Sequence, residues 1–387
     1  MKAFTEPLLS LAGFEEMTKT AEKSSGLISV TGCIDAQKSQ MIYAFGGHRK
    51  NKLIVTFGEQ KAKELYDEYS FFDKEVVYYP SKDVLFYQSD IRGNLLTAER
   101  IRALKAIREQ ESVTLVTTFD ALMNTMAPIE KMWENVLTLE QGQLLDLKEI
   151  QAALIRMGYE KEYQVQTMGQ FSVRGGILDV FPLTEENPIR IELWGDEIDT
   201  IRYFDCESQK SIENTDRVSI YPAAELVLSD EEKAGGIEKL KAEAKRVSDK
   251  LRKQMKTEEA HRVTVMADEL TEEWGELSMY AGMDAFLSYF FDERVGLLDY
   301  FNPSDSLIFF DELTRCTEQG KLTETEFSES MKQRLAMGYI LPGQMNGLFT
   351  EKEIVAKLEK YSCIALGALD NKANGLHQLG SYGIHCQ

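Results

Sequence analysis

The fold is decided around the stretch FSVRGGILDVFP at residues 171–182. Two short strand-like runs, at 171–174 and 177–181, flank its Gly-Gly pair. This pattern is typical of two antiparallel strands joined by a tight turn. Further strand-like runs follow at 189–194 and 197–205, and Asn-Pro and Gly-Asp turns separate them. Strands at such close spacing predict an antiparallel meander within a small α+β domain.

Side chains alternate between the two faces of a strand, and this assigns the outer face of the meander. Along 189–194 the two isoleucines and the leucine are expected to face the core, which leaves Arg190, Glu192 and Trp194 outside. By the same rule, Ser172 and Arg174 face outward on the preceding strand. On the following strand, Arg202 and Phe204 share one face. Arg and Trp on a half-exposed sheet are typical anchors of protein interfaces. The alternative is that a helix of the same domain covers Trp194 and that the arginines are solvated.

The segment before the meander alternates apolar strands with helical patterns. Its strand-like runs lie at 26–32, 52–56, 75–80 and 113–118. Strands separated by helices predict βαβ units and a parallel sheet. A small α+β domain therefore follows an α/β region.

The segment after the meander returns to helix. Ser229 and Glu232 form a capping-box pattern, and apolar residues then recur every three or four positions. Strand-like pieces at 262–266 and 307–310 predict a second α/β region. The tail from Asn371 has little apolar content and is expected to be mobile.

Composition narrows the classes of function. The 387 residues include 44 basic and 64 acidic side chains, a net charge of −20 that disfavours binding to a phosphate backbone. No apolar run approaches the roughly 20 residues of a membrane-spanning helix, and the start does not resemble a signal peptide. The 5 cysteines include no C-x-x-C, and the 4 histidines form no H-E-x-x-H, so neither a metal site nor a disulfide framework is expected. These features predict a cytoplasmic protein with reduced thiols and no membrane contact.

Residues 32–39 have the frame of a phosphate-binding loop between a strand and a helix. Gly32, Lys38 and Ser39 match the pattern G-x-x-x-x-G-K-[ST], but Gln37 stands at the second glycine. A side chain there crowds phosphates and disfavours a left-handed backbone. An ordinary strand-to-helix turn is the simpler interpretation of this loop.

Carboxylates could complete such a site or form one elsewhere. Asp311 and Glu312 follow four apolar residues. This pattern is typical of the acidic strand end that holds Mg²⁺ in nucleotide hydrolases. A buried strand that ends at a turn explains the two carboxylates equally well. Asp196, Glu197 and Asp199 lie beside a Gly-Asp turn. We interpret these three as turn and surface residues rather than as catalytic or metal-binding groups.

The stretch at 171–182 is similar to the signature F-x-V-R-G-x-x-[LI]-D-[VI]-F-P of bacterial transcription-repair coupling factors and of the excision-repair helicase UvrB. Residues 188–193, 196–199 and 202–205 continue the resemblance with the same spacing, and weaker matches occur at 79–83 and 298–301. The resemblance covers about residues 20–360.

Three departures separate this chain from UvrB. Gln37 interrupts the phosphate loop, and Asp311-Glu312 continues as Leu-Thr instead of Ser-His. A UvrB would have a long aromatic-rich hairpin after the strand at Tyr78-Tyr79. Here only Leu-Phe-Tyr-Gln at 85–88 and a Gly turn precede the next helix. The chain therefore resembles the degenerate UvrB-like amino-terminal module of a coupling factor.

This resemblance implies an α/β fold of two UvrB-like parallel-sheet domains, 1a and 1b, with an inserted small α+β domain 2 that carries an antiparallel sheet. The expected boundaries are 1–135 for domain 1a, 136–224 for domain 2, 225–360 for domain 1b and 361–387 for a linker and tail. The RNA-polymerase-binding and translocase regions of the family have no counterpart here, so we expect a fragment of a longer protein.

The resemblance also implies a function. In the family domain 2 binds UvrA, and its face maps to Arg174, Arg190, Trp194, Glu197 and Arg202. We therefore expect a non-catalytic module, without cofactor, metal or catalytic residues, that recruits UvrA for nucleotide excision repair at stalled transcription complexes. The full-length family protein is an ATP-dependent DNA translocase that contacts RNA polymerase and DNA through other regions, and its carboxy-terminal domain is thought to mask the UvrA face. The alternative is a residual ATP-binding or DNA-binding helicase-like domain of a UvrB relative.

Overall fold

The computed structural model describes residue 8 and the ranges 13–46, 49–82, 93–276, 282–368 and 375–384. Its strands are β1 (Gly26–Thr31), β2 (Asn51–Thr56), β3 (Val77–Tyr79), β4 (Val113–Thr118), β5 (Leu137–Glu140), β6 (Glu160–Lys161), β7 (Gln170–Arg174), β8 (Ile177–Val180), β9 (Ile189–Trp194), β10 (Glu197–Phe204), β11 (Ser211–Thr215), β12 (Arg217–Ile220), β13 (Ser306–Asp311), β14 (Ser362–Gly367) and β15 (Gln378–Gly383).

The α-helices surround these strands in the same chain order. They are α1 (Phe14–Lys23), α2 (Asp35–Phe45), α3 (Glu59–Tyr69), α4 (Gly93–Glu109), α5 (Phe119–Met123), α6 (Ile129–Glu134), α7 (Leu147–Arg156), α8 (Asp230–Lys253), α9 (Thr257–Glu276), α10 (Leu287–Phe290), α11 (Leu313–Ala336) and α12 (Glu351–Leu358). Short 3₁₀ helices lie at Met283–Phe286, Leu297–Tyr300 and Pro342–Gly347. The capping box predicted at Ser229 and Glu232 is confirmed at the start of α8.

Across the described residues, seven parallel strands form one sheet in the order β15-β1-β14-β13-β2-β4-β3. Strand β13, from the predicted segment 225–360, pairs with β2 from the segment 1–135, so the two predicted α/β pieces contribute to the same sheet. Strands β4 and β13 are buried along their whole length, which is typical of a parallel sheet covered on both faces. Two apolar cores pack against it.

The second sheet has the order β11-β10-β9-β8-β7-β6 within the same described ranges. Its strands are antiparallel except for the short parallel pair of β6 and β7. A separate core that includes Leu154, Phe171, Ile191 and Ile201 lies under its inner face. The predicted class, an α/β protein with an inserted domain that carries an antiparallel sheet, is confirmed.

The strand predicted at 262–266 is wrong, because these residues lie inside helix α9. Ala260, Val263, Ala267 and Trp274 are buried at helical spacing and pack in one core with α8. A short apolar run does not distinguish a strand from a buried helix face.

The linker and tail predicted at 361–387 contain two strands of the parallel sheet instead. Strand β14 is an interior strand of the parallel sheet, and β15 forms its edge next to β1. Strand β15 has few apolar residues because an edge strand is stabilised largely by backbone hydrogen bonds to one neighbour. The last three residues, including Cys386, lie outside the described residues, as does the segment 85–88.

Two further findings concern the chain as described. Within the described ranges, no helix is long and apolar enough to cross a membrane. The cysteines of those ranges, Cys33, Cys206, Cys316 and Cys363, are free thiols.

Candidate functional site: the outer face of the antiparallel sheet

The strand register aligns a row of polar residues across the antiparallel sheet. Ser172 pairs with Asp179, Asp179 with Arg190, and Arg190 with Arg202. Directly paired residues project from the same face of a sheet. Predicted residues from three strands therefore meet on one surface, which we call the outer face and define by Arg174, Asp179, Arg190, Glu192, Trp194 and Arg202.

Asp179 holds two of the arginines of the outer face. Its side chain is 2% exposed, and it accepts hydrogen bonds from Arg190 Nε at 2.7 Å and from Arg190 Nη2 at 2.8 Å. Arg174 Nη2 donates to the same carboxylate at 2.9 Å. The bonds to Asp179 raise the pKa of Arg190 above its usual value. Two guanidinium groups thus share one buried carboxylate.

Arg190 is fixed from two further sides. Its guanidinium carbon lies 4.3 Å from the centroid of the Phe204 ring, within the range of a cation–π contact. Its Nη2 also donates to Gln209 Oε1 at 2.8 Å. The Arg190 side chain is therefore only 12% exposed and has little rotational freedom.

Arg202 pairs with Glu192 on the neighbouring strand. Its Nη2 donates to Glu192 Oε1, and its Nη1 donates to Thr200 at 3.4 Å. The hydrogen bond from Arg202 lowers the pKa of Glu192. The three guanidinium groups of the outer face are therefore each paired with Asp179 or Glu192.

Trp194 lies at the end of β9, on the same strand face as Arg190 and Glu192, and Gly195 adopts a φ of +65° in the turn to β10 that follows. Its side chain is 84% exposed, so no helix of the same domain covers it. Glu197 pairs with Trp194 and is also exposed. The alternative interpretation, in which Trp194 is buried within its own domain, is therefore wrong.

Ser172 lies on the predicted face, since it pairs with Asp179, but it is not exposed. Its hydroxyl donates to the Tyr163 carbonyl at 2.7 Å. The loop before β7 covers that end of the outer face. Asp196, Glu197 and Asp199 lie around the Gly195 turn, and the described residues contain no group of three or more His, Cys, Asp or Glu arranged to hold a metal ion.

The predicted nucleotide-binding residues come together at the carboxyl edge of the parallel sheet. Lys38 Nζ lies 2.5 Å from Asp311 Oδ1, 2.8 Å from Asp35 Oδ1 and 3.1 Å from Glu312 Oε1. Burial alone would lower the pKa of Lys38, but these carboxylates outweigh burial and raise it. Thr56 donates a further hydrogen bond to Asp311 at 2.9 Å.

The backbone amides of the loop are bonded within the protein as well. Gly32 N–H donates to the Ala368 carbonyl and Cys33 N–H to the Gly367 carbonyl, at 3.3 and 3.1 Å. The Gln37 side chain accepts from Ile34 N–H at 3.4 Å. The Gly32 and Cys33 bonds hold the start of the loop against the end of β14.

Comparisons with known proteins match the same region. Residues 137–226 match the model of the UvrB interaction domain, and this range contains the whole outer face. The chain is 29% identical over 309 residues to the transcription-repair-coupling factor of Bacillus subtilis (strain 168), which covers 79% of the chain. The chain resembles transcription-repair-coupling factors.

Two staphylococcal relatives support this similarity. The chain is 28% identical over 327 residues to the transcription-repair-coupling factor of Staphylococcus haemolyticus, covering 82% of the chain. It is 34% identical over 222 residues to that of Staphylococcus aureus (strain Mu50), covering 56% of the chain and 19% of the relative. The alignments cover 26% of the Bacillus subtilis protein and 27% of the Staphylococcus haemolyticus protein, so the chain spans about a quarter of the length of these relatives.

Sequence reasoning did not identify Asp179 or Gln209 as part of the site. Asp179 belongs to an apolar strand, and only the register places it opposite Arg190. Gln209 lies in the connection between β10 and β11, where periodicity carries no information. Its contact with Arg190 depends on the path of that connection.

Proposed function

We propose that this chain is a non-catalytic interaction module of a transcription-repair coupling factor. We further propose that its outer face recruits UvrA for nucleotide excision repair at stalled transcription complexes. The observation that carries the proposal is the exposed Trp194 at the end of the strand that carries the held Arg190, inside the region that matches the UvrB interaction domain.

The physical argument rests on how interfaces obtain their affinity. A few Trp, Tyr and Arg residues provide most of the binding energy, and they do so best when their conformations are already fixed. Arg190 is fixed by Asp179, Gln209 and Phe204 before any partner arrives. Trp194 contributes a large apolar surface whose burial is favourable.

The arrangement around Lys38 supports a non-catalytic role. Its ammonium group already contacts three carboxylates, and two amides of the loop are bonded to the backbone near β14. The alternative function, residual ATP binding, predicts a higher melting temperature in millimolar ATP and Mg²⁺ that is lost in Lys38→Ala. We expect no such shift, and a shift that depends on Lys38 would favour the alternative.

We extend the proposal to the full-length protein that would contain this chain, called the parent, and to the domain boundaries within the chain. The parent contacts RNA polymerase and DNA through regions outside this chain, acts as an ATP-dependent translocase in the cytoplasm, and masks the outer face with its carboxy-terminal domain. Domain 2 spans 136–224, between the UvrB-like pieces 1–135 and 225–360. If masking occurs, this chain binds UvrA more tightly than its parent does.

Calorimetric titration with purified UvrA tests the proposed interface. Trp194→Ala should weaken binding more than about tenfold, because truncation of a central aromatic anchor commonly costs about 2 kcal/mol or more. Phe71→Ala is the matched control, since Phe71 is similarly exposed, at 79%, but lies on the parallel-sheet body. Equal affinities of the unsubstituted chain and Trp194→Ala would contradict the proposal.

A further inference from the structure

We propose that Gln209 and Asp179 are positioning residues that present Arg190 and Arg174 to a carboxylate of the partner protein. The inference rests on the proposed function and concerns the same outer face. Neither residue needs to touch the partner. Their role is to hold the two guanidinium groups in the orientation that the partner meets.

Both polar atoms of the Gln209 side-chain amide are hydrogen-bonded. Its Oε1 accepts from Arg190 Nη2 at 2.8 Å, and its Nε2 donates to the Cys206 carbonyl at 2.8 Å. The connection that carries it is itself ordered, because Gln209 N–H donates to the Asp205 carbonyl at 2.8 Å. The amide of Gln209 is therefore aimed at Arg190 by its own turn.

The backbone of Gln209 adopts a conformation that glutamine does not favour. Its φ is +58°, in the left-handed region where only Gly, and to a lesser degree Asn, is at ease. Strain of this kind persists where the surrounding structure enforces it, and it marks candidate functional positions. Glycine would suit this backbone better but would remove the hydrogen bond to Arg190. We therefore infer that glutamine occupies this position because its side chain bonds to Arg190, and not because the turn requires it.

The donors that remain available define the partner chemistry. In the part of the chain that the structure describes, Nη1 of Arg190 and Nη1 of Arg174 have no hydrogen-bond partner, whereas the Nη2 groups are bonded to Asp179. Planar N–H donors on adjacent guanidinium groups match the geometry of a carboxylate. Because two guanidinium groups share one carboxylate, the set of Arg174, Arg190 and Asp179 carries one net positive charge.

Substitution of Gln209 separates this role from a merely structural one. Gln209→Gly relieves the backbone strain, so its melting temperature should equal or exceed that of the unsubstituted chain. Its affinity for UvrA should nevertheless fall about three- to tenfold, because Arg190 then loses one of the three contacts that fix its guanidinium group and must be restricted further on binding. Gln209→Asn should behave in the same way, since Asn tolerates this backbone and its side chain is one methylene shorter. Met255→Gly is the matched control, because Met255 has a φ of +62° and lies at the end of α8, away from the outer face.

A double-variant cycle tests whether Gln209 acts through Arg190. In the Arg190→Gln background, Gln209→Gly should cause no further loss of affinity, because the residue that it positions is gone. The affinity should also depend less on salt in Arg190→Gln than in the unsubstituted chain if Arg190 meets a carboxylate. Equal salt dependence would overturn the carboxylate assignment.

The outcomes distinguish this inference from the proposed function. If the unsubstituted chain does not bind UvrA, the proposed function fails and the inference fails with it. If the unsubstituted chain binds and Gln209→Gly binds equally well, only the inference is overturned. Losses that add in the double variant would show that Gln209 does not act through Arg190, and they would overturn its positioning role.

Discussion

The substitution Lys38→Met removes the cation that the carboxyl edge of the parallel sheet is built around. Methionine keeps most of the length of the aliphatic stem, so the change isolates the ammonium group. It leaves Asp311, Asp35 and Glu312 without their shared partner. Asp311 then retains the hydrogen bond from Thr56 in an environment where it is 2% exposed.

The expected loss of stability follows from the burial of each partner. Asp35 is 64% exposed and Glu312 is 22% exposed, so water screens much of their interaction with Lys38. The Lys38–Asp311 pair is buried on both sides, and removal of one member of such a pair typically costs about 3–5 kcal/mol. We expect Lys38→Met to lower the free energy of unfolding by at least about 3 kcal/mol.

Urea unfolding at neutral pH, followed by circular dichroism, measures this loss. Lys61→Met is the matched control, because Lys61 pairs with the same Asp35, which is 64% exposed, and not with a buried carboxylate. It should cost no more than about 1 kcal/mol. Lys38→Met combined with Asp311→Asn should recover part of the stability, since the buried unpaired charge is gone. A loss below about 1 kcal/mol for Lys38→Met would refute the view that Lys38 is a structural cation.

Two other predictions concern stability away from the outer face. Burial raises the pKa of Glu225, but Arg100 and Lys82 together outweigh burial and lower this pKa from 4.5 to about 2. The stabilisation that these pairs provide is therefore complete above about pH 4.5 and is lost as the pH falls toward 2. The unfolding free energy should decline over that window and decline less in Glu225→Gln; equal declines would contradict this. In helix α8, Gly235→Ala should stabilise the protein by up to about 1 kcal/mol because its Cβ meets no atom within 4 Å. Gly236→Ala should destabilise it by about 1–3 kcal/mol because its Cβ would lie 2.1 Å from the Phe290 ring. Melting-temperature shifts in the same direction for Gly235→Ala and Gly236→Ala would contradict these two expectations.

The sequence predicts features that depend on local periodicity. Alternation along β9 assigns Arg190 and Trp194 to the outer face, and the structure places both there. Helix α8 begins at the predicted cap, Ser229. In each case the signal lies within a few residues of the feature it predicts.

Features that depend on distant pairing are not accessible from one sequence. The sequence motifs indicate Lys38 and Asp311 as parts of one candidate site, but their direct ion pair across 273 positions of chain follows only from the single parallel sheet that brings both residues to one edge. Asp179 becomes part of the outer face only through its register with Arg190. Strand β15 escapes prediction because backbone pairing to β1, rather than an apolar pattern, stabilises it.

The central claim, that the outer face contacts UvrA, is tested most directly by site-specific photocrosslinking. A photoreactive benzoylphenylalanine replaces Trp194 in one preparation and Phe71 in a matched one, since both positions are exposed aromatic residues. Irradiation with purified UvrA should yield a crosslinked product from position 194 and none from position 71. Crosslinking from position 71 without any from position 194 would contradict the claim.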